Sequence, residues 1–224
     1  MNQENPVNMI RMSLLVRWRT ILFPFEQSQL IKQLPENGYV LTDEIRNRIP
    51  SYGARVEVTG VVARKGDVSL IFDTSRPGFQ IEGADNESMV DELDILEGMI
   101  SDSFNVESES IARFYEVDAQ ALIRSRKSPI EVVRLYGADA GKFEQIGDII
   151  GIETGAYGFK ISSMMSQPSD EDWFEMLLEP NSRSPHTDYF AYLILRKNNR
   201  MKVTDIARRI KLVFQQVIER LEQE

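Results

Sequence analysis

The chain has 224 residues, 42% of them hydrophobic and 27% charged, which excludes collagen-like, disulfide-scaffolded and wholly disordered classes. It carries 26 Lys and Arg against 35 Asp and Glu, a net charge of −9, and such a field repels phosphate backbones and anionic lipid. With no Cys and one His, disulfides, Cys-ligated zinc, iron–sulfur clusters, cysteine nucleophiles and multi-histidine metal sites are excluded too.

The first element is Met12 to Leu22, where Leu14, Val16, Trp18 and Leu22 alternate with Ser13, Arg17, Arg19 and Ile21, the period of a half-buried strand. Phe25 to Leu34 has near-helical apolar spacing and ends at Pro35-Glu36-Asn37-Gly38. Tyr39 to Ile45 reads as extended and Pro50 to Gly53 as a turn. Arg55 to Arg64 and Val68 to Thr74 read as strands joined by a Lys65-Gly66-Asp67 hairpin, and Phe79 to Ile81 as a further short strand. Asp85 or Asn86 then caps an amphipathic helix carrying Met89, Leu93, Leu96 and Ile100.

Alternation returns in Ile111 to Arg124, with Tyr115, Val117, Ala119, Ala121 and Ile123 on one face. Ser128-Pro129 opens a short helix ended by Gly137. Phe143 to Ile152 is apolar and ambiguous between helix and strand. Gly155 to Met164, Asp172 to Leu178 and Tyr189 to Leu195 read as strands, and Met201 to Leu221 as one helix with an apolar seam from Val203 to Leu221. His186 falls in the turn before the last strand. Trp18 and Trp173 have apolar neighbours and read as core anchors.

The element order repeats. First strands begin near 12 and 111, short helices near 25 and 128, and long helices near 86 and 200. The expected fold is therefore α+β, a single domain over 1–224 built from two tandem strand-helix-strands-helix repeats, about 10–105 and 110–222. They would form a curved antiparallel sheet with two long helices packed on one face. In this order the chain resembles the TATA-binding protein and its two-repeat relatives, sporadically distributed proteins of unknown function among them. The resemblance implies that fold. It does not imply the family's grip on the DNA minor groove, since no matching pairs of Phe wedges are found and the net charge is negative.

Charge is segregated along the chain. Glu82 to Asp118 holds 12 acidic residues and one basic residue, Arg113, whereas Arg196 to Lys211 is strongly basic. If the two long helices lie together, their opposite charges face each other. Glu175 and Glu179 share a strand parity that a carboxylate pair would need. No Walker A, GxGxxG or GxSxG pattern occurs, and His186 alone suggests no triad.

An architecture without a chemical motif points to a non-catalytic interaction module, self-associating, that recognises protein through its open sheet face or a sheet edge. Parity places Arg17, Arg19, Arg55, Glu57, Glu116, Asp118, Lys160 and Ser162 toward that face. The alternatives are a small-ligand-binding protein or enzyme with a groove between sheet and helices, and nucleic-acid binding through a local basic patch. The expected partner is another protein or a second copy, with no cofactor, no metal and no membrane, and double-stranded nucleic acid disfavoured. No stretch nears 18 uncharged apolar residues and Met1 to Pro6 leads into no apolar run, so the expected location is cytoplasmic.

Overall fold

Period-two patterns in both halves of the chain become nine strands of one sheet in a computed structural model, which describes residues 6–19, 28–48, 59–73, 76–137 and 142–223. In chain order the elements are β1 (Val7–Trp18), α1 (Ser28–Glu36), β2 (Val40–Leu41), α2 (Asp43–Arg48), β3 (Thr59–Lys65), β4 (Val68–Asp73) and β5 (Gly78–Gly83). There follow α3 (Asn86–Phe104), α4 (Ser108–Ile111), β6 (Ala112–Arg124), α5 (Pro129–Gly137), α6 (Lys142–Ile150) and β7 (Phe159–Ser162). The chain closes with β8 (Trp173–Pro180), β9 (Asp188–Lys197), α7 (Arg200–Arg208) and α8 (Ile210–Leu221). The class is α+β, with strand order β2-β3-β4-β5-β1-β6-β9-β8-β7 and antiparallel pairing throughout.

The register explains why one face is core. Leu70, Ile81, Leu14, Val117, Leu195 and Phe174 stand opposite one another in turn, forming an apolar row from β4 to β8. A slip of one residue would turn that row to the other face, so burial holds the register. Met89, Val90, Leu93 and Ile100 of α3, Val203 and Ala207 of α7, and Ile210, Phe214 and Ile218 of α8 close over it in the same cluster. Each of these side chains other than that of Ala207 contributes roughly 1.5–3 kcal/mol through burial. Trp18 lies in that cluster, edge-on to Phe79 at 5.9 Å.

Caps and turns follow the sequence closely. Asp85 accepts from the Ser88 N–H at 2.9 Å to start α3, a bond that, with the Ser88 hydroxyl, lowers the Asp85 pKa. Lys65 pairs with Val68, leaving Gly66-Asp67 as a two-residue turn in which Gly66 takes φ +60°.

Several expectations change. The Met201–Leu221 helix is broken at Arg209, although no Gly or Pro stands there. The Asn86 side chain donates to the Arg208 carbonyl at 2.5 Å, taking it out of the helical ladder. Tyr39–Ile45 yields only the two-residue β2 before α2, which opens with Asp43 and Glu44 in its first turn. The ambiguous Phe143–Ile152 run is helix, α6. Gly155–Met164 narrows to the four residues of β7. Trp173 is buried, but its register partner is Arg196, on the face opposite the core row. Phe25, the Pro50–Gly53 turn and residues 55–58 of the expected third strand lie outside the described residues.

The acidic and basic helices do meet, through few residues. Arg200, opening α7, ion-pairs with Asp94 and, at 2.6 Å, with Glu97 of α3; Glu109 stands 3.8 Å away. Glu97 also accepts from the Tyr115 hydroxyl at 3.0 Å. A turn earlier in α3, Glu92 takes Lys65 at 2.6 Å and the Tyr39 hydroxyl at 2.5 Å. Burial, reinforced by those carboxylates, pushes both tyrosine pKa values far up, so the phenols stay donors at every ordinary pH.

Candidate functional site: the polar sheet face and the β7 edge

Opposite the core row, the sheet carries charges that mostly neutralise one another. Glu116 on β6 and Arg196 on β9 are cross-strand neighbours and ion-pair at 2.6 Å. The Arg196 guanidinium also lies 4.4 Å above the Phe114 ring and donates to the Pro168 and Asp170 carbonyls at 2.7 and 3.1 Å, tying down the loop before β8. Arg11 reaches Glu82 at 2.8 Å, Lys160 reaches Glu175 at 3.0 Å, and the Tyr192 hydroxyl donates to Asp118 at 3.0 Å. Diagonal and direct pairs of this kind are the sheet counterpart of helical i,i+4 pairs.

Of the residues expected here, the registers bring Arg17, Glu116, Asp118, Lys160 and Ser162 to this face. Arg19 is exposed just past the end of β1, where its N–H donates to Ile111 at 2.8 Å. Arg55 and Glu57 lie outside the described residues. Sequence reading missed Arg11, Glu82 and Tyr192, and read Arg196 only as part of a basic run. Arg11 follows from parity once β1 is begun at Val7, Glu82 once β5 is carried on to Gly83 and Arg196 once β9 is carried on to Lys197, while Tyr192 already lay within the expected last strand.

Asp118 has a consequence for pH. Its Oδ1 is buried without a hydrogen-bond partner, and burial raises its pKa against the opposing pull of Tyr192 and Arg11. The folded chain therefore holds this proton more tightly than the unfolded chain does. Its contribution is most favourable below the ordinary carboxylate value and is lost as pH rises through the raised one. Asp118→Asn is expected to flatten the fall of stability as pH rises from about 4, the ordinary carboxylate value, toward neutrality. Urea unfolding across that range checks it, and parallel curves for variant and native chain would refute the assignment.

At one end of the sheet, β7 pairs among the described residues only with β8, so its outer backbone groups face no described strand. Ile161 belongs to the core face, since it stands opposite the buried Met176, yet it is 43% exposed. Next to it, Met164 and Met165 are 99% and 96% exposed. Most large apolar side chains left exposed among the described residues lie between Leu135 and Met165, including Ile149 and Ile152. Near this region a groove of about 250 Å³ is lined by Lys127, Val132, Leu135, Tyr136 and Leu221.

Nothing chemical assembles around His186. Its Nδ1 lies 3.2 Å from the hydroxyl of the half-buried Ser128, at the start of α5, and the His186 side chain itself is exposed. Glu175 and Glu179 share the polar face, with Glu175 bound to Lys160. Among the described residues no group of three or more His, Asp or Glu side chains is placed to hold a metal ion, and no helix is long and apolar enough to cross a membrane. No protein-family model, curated protein or solved structure matches this chain.

Proposed function

We propose that this protein is a non-catalytic interaction module that self-associates through the β7 edge of its sheet. The observation that carries the reading is the coincidence of a strand with one edge unpaired among the described residues and an apolar core-face residue, Ile161, that is left 43% exposed. Soluble proteins usually protect such edges, and a contiguous exposed apolar surface marks an interaction site. The polar face supports this choice by contrast, because most of its charges are already satisfied within the chain.

A second copy fits the edge. Antiparallel pairing centred on Ile161 sets Ile161 against its equivalent and Lys160 against Ser162 of the other copy, so that no two lysines are opposed. Two β7 strands would then make one continuous sheet, with the exposed methionines beside the seam.

We also read the chain as a duplication with the two-repeat arrangement of the TATA-binding-protein relatives. The strand order supports it: outward from the central β1 and β6 come β5 and β9, then β4 and β8, then β3 and β7. In this reading the break between α7 and α8 is a departure within the second long helix.

Light scattering after size exclusion tests the self-association. The native chain is expected to run as a dimer at micromolar concentration and Ile161→Asp as a monomer with an unchanged circular-dichroism spectrum. A native chain that stays monomeric throughout would overturn the proposal.

A further inference from the structure

Arg17 stands apart from the other charges of the polar face. Its cross-strand neighbours are Gly78 on β5, which has no side chain, and Phe114 on β6, which has no charge. Its side chain makes no ion pair or hydrogen bond among the described residues, although it is half-buried. Arg76 projects nearby from the approach to β5, held loosely by Asp73 at 3.6 Å. These groups, the Asp73 carboxylate among them, line a cavity of about 90 Å³ whose walls include Leu15, Ile71 and Gln80.

A half-buried guanidinium with no acceptor of its own in the chain keeps its planar fork open to a ligand, and that fork matches the two oxygens of a carboxylate or phosphate. The charges around it do not supply that acceptor. Glu116 is already bound by Arg196, and Asp73 faces Arg76. Burial first, and then repulsion from Arg76, lowers the Arg17 pKa against the opposing pull of Asp73 and Glu116. The volume admits one oxyanion group and little more, with apolar walls for the atom that bears it.

We propose that Arg17 and Arg76, over Leu15 and Ile71, form a binding site for a single oxyanion, the carboxylate or phosphate group of a small ligand. Arg17 supplies the paired donors from the sheet. Arg76 closes the outer side, and Gln80 offers a further amide donor. The site lies on β1 and β5, in the half of the sheet away from β7, so it does not depend on self-association through that edge.

The test is a titration of the full chain with inorganic phosphate and, separately, with acetate, chloride keeping ionic strength constant. The amide signals of Gly78, Gln80 and Arg17 are followed by nuclear magnetic resonance. Saturable shifts confined to β1, β4 and β5 are expected with at least one of the two anions. The tighter one shows whether phosphate or carboxylate is preferred. Arg17→Gln should weaken the response by about tenfold or more, and Arg76→Gln by less, since only the first removes the half-buried fork. Lys160→Gln, at the far end of the sheet, should leave it unchanged. Linear, unsaturable shifts with both anions, or equal responses in native chain and Arg17→Gln, would overturn the site. Should Arg17→Gln fail to fold, Arg76→Gln and the native saturation curve still decide it.

Discussion

Gly78→Ala is expected to destabilise the chain by about 3 kcal/mol or more, a large loss for the addition of one methyl group. Gly78 opens β5 with φ +141°, a conformation that L side chains rarely adopt, and a Cβ built there would sit 2.0 Å from the Val16 carbonyl oxygen and 3.1 Å from the Arg17 Cα. Both contacts are backbone, in the strand to which Gly78 is paired, so no rotamer change relieves them. The β1–β5 ladder must open locally, and the Trp18 N–H bond to the Pro77 carbonyl at 3.0 Å and the contact between Trp18 and Phe79 open with it. Gly98→Ala gives the comparison. Gly98 lies within α3, nothing stands within 4 Å of its added Cβ, and the change should stabilise by roughly 0.5–1 kcal/mol. Urea midpoints of the two variants measured together check this, and a Gly78→Ala loss below about 1 kcal/mol would contradict the close approach.

The second large effect is expected at Arg200. Arg200→Met leaves Glu97, 10% exposed, with only the Tyr115 hydroxyl among the described residues to hold its charge. An uncompensated buried charge of this kind costs on the order of 3 kcal/mol, and for a chain of this length that is roughly 6–12 °C in melting temperature. Coulomb attraction between the helices is the smaller part. Most of the loss is the desolvation of a carboxylate whose partner has gone, and the double variant Arg200→Met, Glu97→Gln should recover most of it. Thermal unfolding of the two single variants and the double checks the coupling. Simple additivity would show that Arg200 and Glu97 act independently.

These two sites were legible in the sequence to different degrees. Pro77-Gly78 reads as a turn before a short strand. That its glycine is required by the backbone of β1 depends on pairing between segments some sixty residues apart, and no local pattern reports that. Opposite charge on two helices is visible in composition, and so is the expectation that the helices meet. Composition suggests a broad belt of surface pairs, each worth roughly 0–1 kcal/mol. The structure instead concentrates the link in Arg200, at the helix start, against two carboxylates of α3.

The polar face follows the same division. Parity placed Arg17, Glu116, Asp118 and Lys160 together correctly, because side chains alternate along any strand whatever its neighbours. Which of these charges are satisfied depends on the strands alongside. Glu116 finds Arg196 because β9 pairs with β6 in that register, and Arg17 finds Gly78 and Phe114 instead.

By itself the sequence determined the α+β class, the strand periods, the long acidic helix with its Asp85 cap, the Gly66 hairpin and the absence of any cysteine or multi-histidine chemistry, since each rests on local spacing or composition. The tertiary structure alone decided the sheet order, the break at Arg209, the exposed edge at β7 and the unpaired cation at Arg17. All four arise from contacts between residues far apart in the chain, where register and burial, not local preference, select the partner.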